Sequence, residues 1–280
     1  MPHFEFTMTS QDGLTLQGRG WEPDGEVRSV VCLLHGLGEH CGRYSHMAEA
    51  FNRDGVAMLT FDLRGHGRSE GRRGHAPSYS ALMSDIEKLL DEAAARFPGL
   101  PRFLYGHSLG GNLAIYYALK KHPDLAGVIA SAPLLRLAFK PSQWKTGILR
   151  GMRAMRLNFS IRSGLDDSAL SHDQNVVRTY RNDPLTHDLI SPRLAMDMLR
   201  YGQWMLKHAA EFPLPLLLMH GESDRITSVP ASVEFAERLG RRCELKIWDG
   251  LDHELHNEPE QKQVFAFVVD WMNALSSDAV

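Results

Sequence analysis

The chain has 280 residues, of which 43% are hydrophobic and 23% are charged. This composition is ordinary for a soluble globular protein with a sizeable core, and it excludes intrinsically disordered and collagen-like proteins. The formal net charge of −3 provides no overall attraction to nucleic acid or to an anionic membrane, so no nucleic-acid partner is predicted.

Three cysteines, an odd number without Cys-x-x-Cys spacing, predict neither a disulfide framework nor a thiolate metal site. The chain begins without the basic and apolar segments of a secretory signal, and it has no apolar run long enough to span a bilayer. The sequence therefore predicts a cytoplasmic protein and leaves its oligomeric state open.

Short apolar runs alternate with longer helical patterns along most of the chain, which is typical of βαβ units in a parallel sheet. Eight strands are predicted, at 4–9, 14–21, 29–35, 56–62, 102–106, 127–131, 214–219 and 244–249. Five helices are predicted, at 44–54, 79–97, 109–122, 232–239 and 258–275.

The alternation stops between about Leu134 and Phe212. This stretch has helical character but no convincing strand, so it is predicted to be a helical cap inserted over the sheet. The predicted domains are a core of residues 1–133 and 213–280 and a cap of residues 134–212.

Residues 106–110 read Gly-His-Ser-Leu-Gly and match the Gly-x-Ser-x-Gly pattern of a nucleophile elbow. The context also matches, because an apolar strand enters the motif and a helical pattern leaves it. A sharp strand-to-helix turn leaves little room for side chains beside the serine, which the glycines satisfy. Ser108 is therefore the predicted nucleophile.

A serine hydroxyl is a poor nucleophile until a base removes its proton. Where a strand leads through such an elbow into a helix, the acid and the base follow the serine along the chain. Asp224 comes just after the seventh predicted strand and is the predicted acid, with Glu222 as the weaker alternative. His253 follows the last strand and is the predicted base, with His256 as the alternative. Residues 126–139, which form and follow the preceding strand, contain no carboxylate. This removes the main alternative position for the acid.

The oxyanion formed by attack needs two backbone N–H donors. The residue after the serine, Leu109, is predicted to provide one, and Leu37 in the glycine-containing loop 35–38 is predicted to provide the other. The segment 253–256 reads His-Glu-Leu-His and lacks the His-Glu-x-x-His spacing of a zinc helix. No metal site and no cofactor are predicted.

Together these residues resemble the monoacylglycerol lipases of bacteria and animals and their lysophospholipase-like relatives. The resemblance covers most of the chain and rests on residues 35–40, 42–44, 62–69, 106–111, 183–185 and 253–258. It implies an α/β-hydrolase fold, with a mostly parallel eight-stranded sheet flanked by helices and an inserted helical cap (lid), and a small lipid ester as substrate.

The resemblance also implies that Glu39, Arg43 and His256 form the polar end of the pocket, where the glycerol head of the substrate would bind. Buried charges usually occur in pairs whatever their role. An internal ion-pair network that holds the loop is therefore the alternative interpretation of the same residues.

Residues 134–165 contain seven basic residues and no acidic residue, interleaved with large apolar side chains. Such a basic amphipathic segment can lie in a lipid interface, which predicts peripheral contact with membranes. The alternative is a lid whose apolar face only covers the pocket.

The predicted function is a serine carboxylic-ester hydrolase, most similar to a monoacylglycerol lipase that releases a fatty acid and glycerol through an acyl-enzyme on Ser108. Lysophospholipase and short-chain carboxylesterase activities are the alternatives, and a non-catalytic binding module is a remote one. An aspartate at the elbow would instead indicate a dehalogenase or an epoxide hydrolase, but this chain has a serine there.

Overall fold

A computed structural model of the protein describes residues 3–139 and 159–277. Its main sheet has eight strands in the order β1-β2-β4-β3-β5-β6-β9-β10. Only the β1–β2 and β2–β4 pairs are antiparallel, so the predicted mostly parallel eight-stranded sheet is confirmed. The strands in this sheet are β1 (Phe4–Thr9), β2 (Thr15–Trp21), β3 (Ser29–Leu34), β4 (Val56–Phe61), β5 (Arg102–His107), β6 (Gly127–Ser131), β9 (Leu216–Gly221) and β10 (Cys243–Trp248).

Seven α-helices lie in the described residues. They are α1 (Ser45–Arg53), α2 (Tyr79–Arg96), α3 (Leu109–Lys121), α4 (Gln174–Asn182), α5 (Pro192–Lys207), α6 (Val229–Leu239) and α7 (Gln261–Ser277). Helix α6 begins three residues before its predicted start, because the Ser228 hydroxyl caps it by accepting a hydrogen bond from the Ala231 N–H. Helix α7 begins three residues later than predicted.

The central strands have an apolar core on both faces. All six residues of β3 are buried, and alternate side chains point to opposite sides of the sheet. Val30 and Leu34 join one apolar cluster, whereas Val31 and Leu33 join the other. A strand covered on both faces reads as a continuous apolar run, which is why these strands could be predicted from the sequence.

The segment between β6 and β9 contains α4, α5 and a two-stranded antiparallel ribbon of β7 (Ile161–Arg162) and β8 (Leu189–Ile190). The prediction that this segment has no strand was wrong, because two residues per strand are too few to produce a periodic pattern. Helix α5 packs on α3, where the Asn112 side chain donates to the Met198 carbonyl at 3.3 Å. We propose 134–212 as the cap.

Most of the basic stretch 134–165 lies outside the described residues. Of its basic side chains that are described, Arg136 pairs with Glu234 at 2.8 Å and Arg162 with Asp188 at 3.3 Å. Among the described helices, none combines the length and the apolar character needed to cross a bilayer.

Candidate active site

The predicted nucleophile, Ser108, lies at the sharp turn between β5 and α3. Its backbone has φ 53° and ψ −112°, a conformation that side-chain-bearing residues rarely adopt. A Cβ atom on Gly106 would lie 2.2 Å from the Gly110 carbonyl oxygen, and one on Gly110 would lie 2.0 Å from the Leu34 carbonyl oxygen. The chain can therefore make this turn only with glycine at both positions, and the turn leaves the Ser108 side chain at the sheet edge.

Asp224 and His253 form a buried pair at the same edge of the sheet. His253 Nδ1 and Asp224 Oδ2 are 2.7 Å apart. The other carboxylate oxygen accepts hydrogen bonds from the N–H groups of Ile226, at 2.7 Å, and Thr227, at 2.9 Å. Burial opposes ionisation of Asp224, but the nearby His253 and the hydrogen bonds from the His220 and His253 side chains more than offset it and lower its pKa. The carboxylate is therefore charged and fixed in direction.

Two further residues that the sequence did not single out complete this acid site. His220 Nε2 lies 3.0 Å from Asp224 Oδ2, and the Thr227 hydroxyl lies 2.7 Å from the same oxygen. His220 Nδ1 contacts the Ser232 hydroxyl at 2.8 Å, so the arrangement in which Ser232 donates to Nδ1 leaves Nε2–H to donate to Asp224. The sequence feature that could have identified His220 is its position at a strand end, four residues before Asp224.

Ser108 and His253 line one cavity of about 240 Å³, together with Leu37 and Glu39. The alternative acid, Glu222, instead accepts a hydrogen bond from the Gly250 N–H at 3.1 Å. The alternative base, His256, is fully buried and stacks on Tyr44, with 4.5 Å between ring centroids. The geometry therefore favours Asp224 and His253 over the two alternatives.

We expect the pH profile of kcat/KM to report the basicity of His253. Burial opposes protonation of this imidazole, but the Asp224 carboxylate more than offsets burial and raises the pKa above the ordinary value of 6.5. Only the neutral imidazole can accept the serine proton, so activity should fall as pH falls through a midpoint above 6.5. Measuring kcat/KM for an uncharged ester from pH 5 to 9 tests this, and a midpoint below 6.5 would contradict it.

The neighbouring His107 cannot be the source of that midpoint. Its ring lies 4.7 Å from that of His253. Burial, with a further contribution from His253, lowers its pKa to about 4. The two groups titrate well apart, so the profile distinguishes them.

The two predicted oxyanion donors leave the same edge of the sheet. Strands β3 and β5 are parallel neighbours in which Leu34 pairs with Gly106, so the loop after β3 and the elbow after β5 lie side by side. Leu109 is the first residue of α3 and Leu37 lines the cavity. Within the described residues neither N–H has an acceptor, which leaves both available to a substrate oxygen.

Glu39 and Arg43 belong to a buried ion-pair network. The Arg43 guanidinium lies 2.6 Å from Glu39 and makes two hydrogen bonds of 2.7 Å to Glu254. Glu39 also accepts hydrogen bonds from the Gly36 N–H, at 2.6 Å, and from the Tyr44 hydroxyl, at 2.8 Å. One cation thus connects the oxyanion loop to the residue after His253, and this supports the interpretation of Glu39 and Arg43 as loop-holding residues.

Replacing Arg43 with methionine should destabilise the protein strongly. The change leaves the carboxylates of Glu39 and Glu254 buried without a cation, which costs about 3–5 kcal/mol. The free energy of unfolding in urea measures the loss. Arg68→Met is the matched control, because the exposed Arg68 side chain pairs with the exposed Glu5 at 3.4 Å, a contact worth about 0–1 kcal/mol. Equal losses in the two variants would contradict the buried network.

Comparisons with known proteins identify the family of this chain. The family model described as "Serine aminopeptidase, S33" matches residues 25–260. A monoacylglycerol lipase of Mycolicibacterium smegmatis is 35% identical over 90% of this chain and 90% of its own length. A crystal structure of Paleococcus ferrophilus monoacylglycerol lipase is 32% identical and superposes with a TM-score of 0.85, covering 93% of this chain and 99% of that one.

An uncharacterised abhydrolase domain-containing protein of Dictyostelium discoideum is 36% identical over 95% of this chain. This chain spans only 28% of the length of that relative. The match to the family model covers most of the chain. The chain therefore belongs to the serine aminopeptidase S33 family of α/β-hydrolase-fold proteins, and it is a serine ester hydrolase similar to the monoacylglycerol lipases.

Proposed function

We propose that the protein hydrolyses monoacylglycerols through an acyl-enzyme on Ser108. His253 takes the serine proton as the oxygen attacks the ester carbonyl, and the N–H groups of Leu37 and Leu109 stabilise the oxyanion. The protonated imidazole then protonates the leaving glycerol oxygen. A water molecule activated by His253 hydrolyses the acyl-enzyme and releases the fatty acid.

The observation that carries the proposal is the shared cavity. Ser108, on a strained turn, and His253, held by Asp224 at 2.7 Å, line the same space as Leu37. This supports acyl transfer to a serine, because nucleophile, base and oxyanion donor must meet around one carbonyl carbon. The names of the similar proteins support a monoglyceride as the ester.

An aminopeptidase activity is the second candidate, since the matching family model carries that description. Such an enzyme needs an acidic side chain to bind the α-ammonium group of its substrate. Glu39 and Glu254 do line the cavity, but both carboxylates are already ion-paired with Arg43. A substrate ammonium group would have to compete with Arg43 for them, so the arrangement favours an uncharged head group.

The test is a panel of kcat/KM values for monoacylglycerols, lysophospholipids, p-nitrophenyl esters of graded chain length and aminoacyl anilides. We expect monoacylglycerols to give the highest values and aminoacyl anilides to give none above the background of a Ser108→Ala preparation. A preference for lysophospholipids or for acetyl esters would replace the proposed substrate while keeping the ester-hydrolase chemistry.

We also propose peripheral membrane contact through the basic segment 134–165. Support comes from its seven basic residues and from two large apolar side chains within the described part of it, Phe139 and Leu165, which are 48% and 37% exposed. Co-sedimentation with vesicles containing phosphatidylserine should be strong at low salt and weak at high salt. Absence of binding to these vesicles at low salt would refute the contact.

A further inference from the structure

A second cluster of titratable side chains lies at the loop that carries His253. It consists of His172 from the proposed cap, and Asp252 and Glu258 from the core. His172 Nδ1 lies 3.4 Å from Asp252 Oδ2 and 3.3 Å from Glu258 Oε2. These three donor atoms all lie within 4.8 Å of one another.

The two carboxylates of this group are buried, and both have the His172 imidazole as a partner. Asp252 is 6% exposed and Glu258 is fully buried. Glu258 Oε1 accepts hydrogen bonds from the N–H groups of Asp252 and His172. Apart from the His172 imidazole, no hydrogen-bond donor of the described residues reaches the Asp252 carboxylate. A bound cation would therefore offset the cost of burying two adjacent carboxylates.

The distances from the imidazole nitrogen to the two carboxylate oxygens fit a small tetrahedral metal ion. Zinc binds imidazole nitrogen and carboxylate oxygen at about 2.0–2.2 Å, which places neighbouring ligand atoms about 3.4 Å apart. The distances of 3.4 and 3.3 Å from His172 Nδ1 match this edge length. The His172 side chain is half-exposed, so a water molecule can take the fourth position.

We propose that His172, Asp252 and Glu258 form a binding site for a divalent transition-metal ion of the zinc class. One nitrogen and two oxygen ligands suit Zn²⁺ better than Mg²⁺ or Ca²⁺, which prefer oxygen ligands only. The two backbone N–H groups on Glu258 Oε1 orient that carboxylate so that Oε2 faces the His172 imidazole.

The metal would tie the cap to the loop of the catalytic base, because His172 belongs to the proposed cap and Asp252 directly precedes His253. The group of Glu39, Glu254 and His256 also brings three ligand-type atoms together. It is not a comparable candidate, because Arg43 already supplies the positive charge between its carboxylates.

Zinc binding to the whole protein tests the proposal. The apo protein, prepared with a chelator, is titrated with ZnCl₂ in a calorimeter, and its Tm is recorded with and without Zn²⁺. The test variant is His172→Ala, which removes the nitrogen ligand, and its Tm without Zn²⁺ serves as its own baseline for folding. The matched control is His3→Ala, which removes an exposed histidine lying 3.9 Å from Glu5.

We expect one Zn²⁺ per chain and a rise in Tm in the wild type and in His3→Ala, because an ion that binds only the folded state stabilises it. In His172→Ala the affinity should fall by about 100-fold or more and the rise in Tm should disappear. Asp252→Asn, which keeps the side-chain shape, should lose Zn²⁺ affinity in the same way. Titration with MgCl₂ should give no comparable rise.

Unchanged zinc affinity in His172→Ala would overturn the proposal by placing the ion elsewhere. Absence of zinc binding to the wild type would also overturn it.

Discussion

Ser108→Ala should reduce kcat by about 10⁴–10⁶-fold while the protein stays folded. The hydroxyl oxygen is the atom that would form the acyl bond, and the rest of the site can only polarise the ester and position water. The alanine Cβ occupies the same place as the serine Cβ at φ 53°, so the Tm should change little. Activity is measured with the best ester of the substrate panel.

Ser163→Ala is the matched control for this experiment, because Ser163 is a second serine that lines the same cavity. Its turnover should stay far above that of Ser108→Ala, because the Ser163 hydroxyl accepts a hydrogen bond from the Leu165 N–H and forms no bond to the acyl group in the proposed reaction. A fluorophosphonate should add mass to the wild type and to Ser163→Ala but not to Ser108→Ala. Substantial turnover by Ser108→Ala would refute the assignment of the nucleophile.

Asp224→Asn should reduce kcat by about 10⁴-fold, because His253 would adopt the tautomer that cannot act as a base. The Ile226 and Thr227 N–H groups hold one carboxylate oxygen, so the asparagine oxygen should take that position. Its NH₂ group then faces His253 Nδ1 and donates to it. The His253 proton moves to Nε2, and the ring can no longer accept the proton of Ser108.

Two measurements separate this tautomer effect from a general loss of structure. Nitrogen NMR of histidine-labelled protein should show the proton of His253 on Nδ1 in the wild type and on Nε2 in Asp224→Asn. Glu222→Gln is the matched control at the same strand exit, and it should keep nearly full activity. A larger loss in Glu222→Gln than in Asp224→Asn would mean that the acid has been misassigned.

Much of this protein was predictable because the relevant signals are local in the chain. The strands β3, β4 and β9 are continuous apolar runs, since both faces of each strand are buried. The Gly106–Gly110 motif predicts a sharp turn by itself. A side chain at either glycine would clash with backbone atoms a few residues away or on the adjacent strand. The order of the predicted nucleophile, acid and base follows from the order of the strands.

The contacts that only the tertiary structure decided join residues far apart in the sequence. Arg43 and Glu254 are 211 residues apart, and His172 and Glu258 are 86 residues apart. No periodicity connects such pairs, because their meeting depends on how loops from different strands pack at one sheet edge. For the same reason the sequence left the role of Glu39 open and did not single out His220 or Thr227. The sequence determined which loops carry the chemistry, and packing decided which side chains in those loops touch.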